Sequence, residues 1–438
     1  MRVAMAINWN LHASSLTNIA RHNFREIGKI MNETKSFTVA AVGIQSISLG
    51  DFNQHFDLLH MPNMGGYRFA LNAATNCNNV IFGISGIDEI IYGKDVLVWP
   101  GSWPQVKQQI ATNTTHWKKY SHKIKHMYTP ANSELEEFHK YLDIPKEKLS
   151  VIHHGVNHDF FKPSSDKENT RKKILSKLEL PDSPYFLHVG ENNFVRKNLK
   201  RLGEAFEQAK YSQPTSKFNH NLIIAGKHYP SIENKLSKIG GIYFLDWISD
   251  DDLLQLLQGA DAFFLPSIHE GFGMPLVESM ACGVPCVSTN RHAPPEVLSD
   301  SGILVDPYDV NSIANSMIKL DQDKKMLQDL SDKSLSRAQD FSWKKNTKEI
   351  FKLYDVDTSK PMENFEKNYH LSAYRTLVSV CDMFPTPNID LLGPLLRFNY
   401  SSLLDWAVKI GLKNSITKDF LSPFADWYKV KLEEVLKE

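Results

Sequence analysis

Short apolar runs recur along this chain and alternate with helical or polar stretches. The runs lack the polar alternation of a half-exposed strand, so each is typical of a strand buried on both faces of a parallel sheet. Alternation of such strands with helices predicts an α/β fold in which helices cover both faces of each sheet. The runs are VAMAI, FTVAAVGI, FDLLHM, NVIFGI, DVLVWP, HMYTP and SVIHHG in the first 155 residues, then YFLHVG, NLIIAG, IYFLDW, DAFFLPS, PCVSTN and GILVDP.

A polar segment between the two sets of runs predicts a division into two domains. FKPSSDKENTRKK (161–173) lacks apolar periodicity, and we place the linker there. A chain of 438 residues is long enough for two core-forming domains and an additional piece. The expected domains are residues 1–165 and 166–345, each a doubly wound sheet. Two such domains that face each other place a ligand crevice at the carboxyl ends of their strands.

The stretch PSIHEGFGMPLVESMACGVPCVSTN (266–290) follows one of these strands and predicts an anion site. Two glycines in three residues form a loop, Pro275 suits the first turn of the following helix, and Gly283 suits its C-terminal cap. The N–H groups at a helix N-terminus attract anions, and the glycines let a ligand approach the backbone. The loop lacks the third glycine of a dinucleotide-binding motif, and the chain contains no G-x4-GK[ST].

Two carboxylates flank this loop, Glu270 before it and Glu278 one turn into the helix. A loop that binds only phosphate would not be expected to carry them, whereas carboxylates accept hydrogen bonds from sugar hydroxyls. The combination favours a ligand with phosphate at one end and hydroxyls at the other, as in a nucleotide-sugar. The alternative is that Glu270 is a helix-cap acid and Glu278 a solvated helix residue.

EGFGMPLVE, with its glutamates eight positions apart, resembles the E-x7-E signature of the retaining family 4 glycosyltransferases of the GT-B fold, the glycosyl transferases group 1. The resemblance implies two Rossmann-like domains that face a cleft, the first on the acceptor side and the second binding the nucleotide-sugar. It also implies a retaining hexosyltransferase that moves a sugar from a UDP- or GDP-linked donor to a glycan, lipid-linked or small-molecule acceptor. No metal or other cofactor is expected.

The resemblance covers residues 1 to 356, strongly from 185 to 306 and weakly before 126. It implies a closing helix at 346–358 that returns to the first domain. Residues 359–438 lie outside it and are expected to form a helical extension. This extension could cover the acceptor site, mediate assembly or pack on the core.

The resemblance also assigns roles to individual residues. Lys197, seven residues after Gly190, corresponds to the lysine that grips the donor diphosphate. Glu270 would orient the sugar ring and Glu278 would bind the ribose hydroxyls, while backbone groups around Trp247 and Ile248 would meet the base. The catalytic residues are therefore expected to be Glu270 and Lys197. The full donor site comprises Gly190, Arg196, Lys197, Gly226, Trp247, Ile248, Glu270, Gly271, Phe272, Gly273, Met274, Pro275, Leu276 and Glu278.

Three features depart from the family pattern. Ser85-Gly86 stands where members commonly carry His-Asp, with Asp88 and Glu89 slightly beyond. Serines replace glycines in the first loop, and Glu191 replaces an arginine for which Arg196 or Arg201 could compensate. These departures keep open an inactive nucleotide-sugar-binding protein, and a GT-B epimerase or phosphorylase remains an enzyme alternative.

Charge and composition limit the classes of partner that this chain is expected to bind. Lysine and arginine total 50, as do aspartate and glutamate, so no net charge favours nucleic acid. HWKKYSHKIKH (116–126) predicts a basic amphipathic helix, either a peripheral membrane contact or a solvated face. No apolar window fits a signal peptide or membrane span, so a cytoplasmic protein is expected. His153, His154 and His158 could suggest a metal site, but nothing requires their side chains to converge, so we expect none.

Overall fold

The structure, a computed structural model, describes two parallel sheets layered with helices. It describes residues 1–7, 15–43, 56–62, 79–84, 86–87, 91–92, scattered positions between 104 and 122, 124–190, 195–211, 218–227, 230–381 and 415–429. The predicted fold class is confirmed within these ranges. No helix there is long and apolar enough to cross a bilayer.

The first sheet has six described strands in the order β2-β1-β3-β4-β5-β6, all parallel. Its elements are β1 (Arg2–Ile7), α1 (Ser15–Thr34), β2 (Thr38–Gly43), β3 (Leu58–Met61), β4 (Val80–Gly83), β5 (Ile124–Thr129), α2 (Asn132–Leu142), a 3₁₀ turn (Lys146–Lys148) and β6 (Leu149–Val151).

The second sheet also has six parallel strands, in the order β12-β11-β10-β7-β8-β9. Its elements are α3 (Lys167–Lys177), β7 (Tyr185–Val189), α4 (Leu199–Tyr211), β8 (Asn221–Ala225), α5 (Pro230–Leu236), β9 (Ile242–Leu245), α6 (Asp250–Gly259), β10 (Ala262–Leu265), α7 (Met274–Ala281), β11 (Cys286–Thr289), α8 (Pro294–Leu298), β12 (Gly302–Val305), α9 (Val310–Gln322) and α10 (Lys324–Ala338).

Burial on both faces explains why the strands read as unbroken apolar runs. In β1, Val3 and Met5 belong to the core between the sheet and α1, whereas Ala4 and Ala6 belong to the core on the opposite face. Successive side chains of a strand point to opposite faces, so a sheet covered on both sides needs apolar residues at consecutive positions.

Two predicted segments differ from the structure. The segment 161–173, predicted as a linker, becomes helical from Lys167, because Asp166 caps α3 by accepting a 3.0 Å hydrogen bond from the Asn169 N–H. The basic run 116–126 was predicted to be helical, but its last three residues, 124–126, belong to β5 and pair with β4, so the helix prediction is wrong there. The run DVLVWP and most of 116–123 lie outside the described residues.

The chain crosses between the two sheets at Gly155. Val156 forms a parallel bridge with Ser342, and a methyl group added at Gly155 would overlap the backbone at Ser342 and Trp343. Helix α11 (Trp343–Tyr354) then packs on α1 of the first domain, where the rings of Trp343 and His22 stack with centroids 4.7 Å apart. The absence of a side chain at Gly155 is what allows the two segments to approach this closely.

The helical C-terminal region packs on the first domain. Its elements are α12 (Phe365–Cys381), α13 (Ser415–Leu421) and a 3₁₀ turn at Ser422–Phe424. Helix α12 lies beside β2, the last described strand of the sheet, and the Ala41 N–H donates a 3.0 Å hydrogen bond to the Thr376 hydroxyl. Phe420 and Phe424 are fully buried in the core that α1 covers.

Candidate active site

Two strand ends of the second sheet meet at paired glycines. Gly190 follows β7 and Gly226 follows β8, and the Gly190 N–H donates to the Ala225 carbonyl at 3.1 Å. Gly226 has a φ of 109°, and a side chain there would overlap the Gly190 carbonyl. Only glycine adopts this backbone readily, so the pair leaves bare backbone at the carboxyl edge of the sheet, where ligands of open α/β sheets bind.

The EGFG segment forms the predicted strand–loop–helix. Gly273 has a φ of 86° and is the N-cap of α7, and Pro275 lies in the first turn. Gly283, just past the end of α7, has a φ of 75°. The loop therefore places the N-terminus of α7 at the carboxyl edge of the sheet that also carries Gly190. This is the backbone geometry of an anion site.

Lys197 and Glu270 meet at the base of the crevice. The Lys197 Nζ donates to the Glu270 Oε1 at 2.6 Å, and an Arg196 nitrogen lies 3.6 Å from the other oxygen. Burial alone would raise the pKa of Glu270, but Lys197 and Arg196 outweigh it and lower that pKa to about 2. The Lys197 and Glu270 side chains are 8% and 6% exposed. Glu270 is thus held as a buried carboxylate beside a buried cation.

A fixed turn positions Lys197. Asn198 has a φ of 61° and its side-chain amide donates to the carbonyls of Pro266 and Pro307, at 2.9 and 2.6 Å. The Ile268 N–H donates to the Arg196 carbonyl at 2.9 Å. These bonds join the turn before α4 to the segment before Glu270. The two charged groups, 73 residues apart in sequence, are therefore held together by backbone contacts as well as by their ion pair.

Glu278, on α7, is half-buried, and no described hydrogen-bond donor reaches its carboxylate. Burial, together with the like charge of Asp250, raises the pKa of Glu278 to about 7. The ionised form of a carboxylate whose pKa is raised this far is stabilised by any ligand that donates hydrogen bonds to it. The two glutamates of the motif thus differ in charge environment. Neighbouring cations lower the pKa of Glu270, whereas Glu278 has no described partner and its pKa is raised.

The other residues predicted for the donor site divide into two groups. Trp247 is exposed over 71% of its surface, and Ser249, two residues later, caps α6 by accepting from the Asp252 N–H at 3.2 Å. Leu276 is fully buried, and the Phe272 ring packs on His154 with centroids 5.1 Å apart. These two buried residues can offer a ligand only their backbone.

Two glutamates, one at the start of α2 and one at the start of α8, hold the domains together, and the sequence analysis did not predict either contact. Glu134 accepts a 2.8 Å hydrogen bond from the Gly86 N–H, and its carboxylate fills the space beside Gly271. Glu296 accepts from the Asn132 N–H and side-chain amide, both at 2.8 Å. Each contact joins segments more than 45 residues apart, so no local motif could predict it.

The three histidines near residue 155 go to separate partners. His153 Nε2 lies 2.7 Å from the Glu296 carboxylate, and His158 Nε2 lies 3.1 Å from the Phe341 carbonyl. The buried His154 ring lies between Phe272 and Trp343. Their arrangement gives them a role in joining the two domains. Ser85, Asp88, Glu89 and Glu191 lie outside the described residues.

Comparison with known proteins finds a family match within the second domain. Residues 166–337 match the sequence model of the family described as glycosyl transferases group 1. The O-antigen chain mannosyltransferase B of Escherichia coli is 28% identical over 236 residues, which are 52% of this chain and 60% of that protein. The MMP alpha-(1->4)-mannosyltransferase of Mycolicibacterium hassiacum is 25% identical over 54% of this chain and 56% of its own length. The chain thus spans less than two thirds of these relatives.

Solved structures extend the likeness in fold to the first domain. Anabaena HepE in complex with UDP and glucose superposes with a TM-score of 0.62 over 81% of this chain and 99% of its own, at 14% identity. Sucrose-phosphate synthase from Thermosynechococcus elongatus gives a TM-score of 0.62 over 81% of this chain and 98% of its own, at 15% identity. The predicted resemblance to glycosyl transferases group 1 and the predicted GT-B fold are confirmed.

Proposed function

We propose that this chain, which carries a glycosyl transferases group 1 domain at residues 166–337, is a retaining glycosyltransferase that uses a nucleotide-diphosphate sugar. The observation that supports this best is the buried Lys197–Glu270 pair beside the amides of the EGFG loop. An ammonium and a carboxylate 2.6 Å apart suit the junction of a diphosphate and a sugar, where one ligand presents anionic oxygens next to hydroxyl donors.

Lys197 would act on the leaving group. Negative charge grows on the diphosphate as the sugar departs, and a fixed cation together with the first amides of α7 stabilises that charge. Glu270 would accept hydrogen bonds from the sugar hydroxyls and hold the ring in its reactive orientation. Both glutamates of the motif lie on one loop and helix, so they are not arranged as a pair flanking a scissile bond. We therefore assign front-face attack, with the departing diphosphate taking the acceptor's proton.

Glu278 would bind the ribose. Its carboxylate, with a pKa raised to about 7, gains most from a ligand with two adjacent hydroxyl donors. The exposed Trp247 would contact the nucleotide base, and the backbone around Trp247 and Ile248 would supply the polar contacts to it. Several related proteins are named mannosyltransferases, and HepE was crystallised with UDP, so GDP-mannose is the first donor to test and UDP-linked sugars are the second.

The decisive experiment compares Lys197→Gln with Lys200→Gln. Both change a lysine near the start of α4, but the Lys200 side chain is 62% exposed and lies on the outside of the helix. Nucleotide release would be followed with a panel of donors with and without acceptors, and donor Kd by calorimetry. We expect Lys197→Gln to lower kcat more than it weakens donor binding, and Lys200→Gln to leave both unchanged. A wild-type rate that Lys197→Gln leaves intact would remove this lysine from the mechanism.

Transfer is expected to need no metal. The proposed anion site consists of backbone amides and Lys197, which bind phosphate oxygens directly. Activity should therefore survive EDTA. Complete loss that magnesium or manganese restores would contradict the proposed mechanism.

A protein that binds a nucleotide-sugar without transferring it is the second candidate. It rests on Ser85-Gly86, which stands where related enzymes commonly carry His-Asp. In the structure the Gly86 N–H donates a hydrogen bond to the Glu134 carboxylate, so Gly86 makes this contact through its backbone. Tight donor binding with no turnover for any donor–acceptor pair would favour this candidate over the enzyme.

A further inference from the structure

Three potential metal ligands converge between the two domains beside the donor site. They are Glu137 on α2, His269 directly before Glu270, and His292 three residues after the end of β11. The His269 Nε2 lies 3.2 Å from one Glu137 oxygen, and the His292 Nδ1 lies 2.9 Å from the other. One ligand atom from each residue falls within 4.8 Å of the other two. Among the described residues this is the one group of three with such spacing.

We propose that Glu137, His269 and His292 bind a divalent transition-metal ion, with Zn²⁺ as the best match, and that the ion bridges the two domains. Two imidazoles and one carboxylate are a known Zn²⁺ ligand set that leaves a fourth position for water. With metal–ligand bonds of about 2.0–2.1 Å, tetrahedral ligands stand roughly 3.3 Å apart. The separations of the Glu137 Oε1 from the His269 Nε2 and the His292 Nδ1, 3.3 and 2.9 Å, are close to this value.

The surroundings of the cluster favour an ion over a chance contact. The His269 side chain is fully buried, and those of Glu137 and His292 are 13% and 17% exposed. The Tyr92 hydroxyl lies 2.6 Å from the His292 Nε2, the ring nitrogen that faces away from Glu137. A ligating histidine usually has its second nitrogen hydrogen-bonded in this way, which fixes the ring and its tautomer.

The cluster can exchange between a metal-free and a metal-bound form without leaving a buried group unsatisfied at His292. Without metal, the His292 Nδ1–H donates to Glu137 and the Nε2 accepts from Tyr92. With metal, the Nδ1 lone pair binds the ion and the Nε2–H donates to Tyr92, since a hydroxyl can donate or accept. His292 has a φ of 60°, a left-handed backbone in which histidine is enriched, and this directs the ring toward α2.

A metal ion bound by these three residues would hold the two domains in the observed arrangement. Glu137 belongs to the first domain, whereas His269 and His292 belong to the second. The ion would therefore add bonds across the cleft immediately next to the Glu270 that faces the donor. This regulates closure and does not supply transfer chemistry, so the proposal is independent of whether the chain transfers a sugar.

The test measures Zn²⁺ binding directly on the full chain, after removal of metals with EDTA and without any nucleotide. Competition with a chromogenic chelator should show one ion per chain, and Co²⁺ should give the visible bands of a low-coordinate site. His292→Gln and Glu137→Gln should each weaken Zn²⁺ binding at least about tenfold. Zn²⁺ should raise the Tm of the wild type and leave that of His292→Gln unchanged.

His153→Gln is the matched control, because His153 also pairs with a glutamate, Glu296, across the same domain interface. It should keep the wild-type affinity for Zn²⁺. No binding by the wild type, or equal binding by the wild type and His292→Gln, would show that the cluster is held by hydrogen bonds alone and would overturn the proposal. Equal losses in His292→Gln and His153→Gln would overturn it too. Circular dichroism verifies folding, and His292→Gln decides the question if Glu137→Gln does not fold.

Discussion

At the scale of single residues, the buried ion pair of Lys197 and Glu270 makes function and stability hard to separate. Removing one partner leaves the other charge buried, which costs about 3–5 kcal/mol in comparable cases. An alanine substitution at either position would therefore lower activity and stability together. Glutamine at position 270 keeps the size of the side chain and an oxygen that accepts from the Lys197 ammonium.

Glu270→Gln is expected to lower kcat/KM about tenfold to a hundredfold, because contacts that orient the sugar tighten in the transition state. The exposed Glu207→Gln on α4 is the control and should behave as wild type. Steady-state nucleotide release, with circular dichroism for folding, makes the comparison. An unchanged kcat/KM in a folded Glu270→Gln would show that this carboxylate does not orient the sugar.

Glu278 predicts a pH dependence. Its native pKa of about 7 lies above the unfolded value of 4.5, so the native chain holds a proton that the unfolded chain releases. The contribution of this proton to the free energy of unfolding is complete below pH 4.5 and is lost as the pH rises through 7. In Glu278→Gln this loss disappears, and the ligand-free variant should be about 1–3 kcal/mol more stable than wild type at pH 8.

The same substitution should weaken donor binding, because the carboxylate is expected to accept both ribose hydroxyls. Donor binding favours the ionised form, so wild-type affinity should increase from pH 6 to pH 8, and that of Glu278→Gln should not. Urea unfolding and calorimetry at the two pH values provide the measurements. A variant that is less stable than wild type at pH 8 would place Glu278 in a satisfied structural contact.

At the scale of secondary-structure elements, the sequence predicted best the strands that are buried on both faces of a sheet. Each described strand overlaps one of the predicted apolar runs, and β3, β4, β10 and β11, which are buried at every residue, lie entirely within theirs. The end of α7 was also predictable, as Gly283 shows, because the chemistry of a helix cap is local. The convergence of Glu134, Glu137 and His292 was not, since it depends on how α2 docks against the second domain.

The docking of α2 on the EGFG loop can be tested with Gly271 and Glu134. A methyl group at Gly271 would overlap the Glu134 carboxylate, which is buried and bonded to the Gly86 N–H. Gly271→Ala should cost about 1–3 kcal/mol of unfolding free energy through overpacking. Glu134→Ala removes the obstacle, so the double variant should lose less than the sum of the two single losses. Strict additivity in urea unfolding would mean that the two positions do not touch.

At the scale of the whole molecule, the C-terminal region is part of the first domain. The sequence left its role open among covering the acceptor site, assembly and core packing, because an amphipathic helix does not specify which surface it meets. In the structure Leu377, Phe420, Phe424 and Tyr428 are fully buried with α1 and β1 residues in one core. The Arg21 and Arg25 guanidinium groups on α1 pair with Asp419, at 2.9 and 3.5 Å.

Removing this region should therefore destabilise the first domain itself. A chain that ends at Ser359 would expose the Phe24 ring, which packs on Phe420 with centroids 5.6 Å apart, and would leave the Ala41 N–H without Thr376. We expect a lower Tm and binding of a hydrophobic dye, because the exposed apolar surface has no other cover. If the truncated chain is insoluble, Phe420→Ala in the full chain tests the same contact and should cost about 3–5 kcal/mol. An unchanged Tm in both variants would mean that the region is an appendage that contributes nothing to the core.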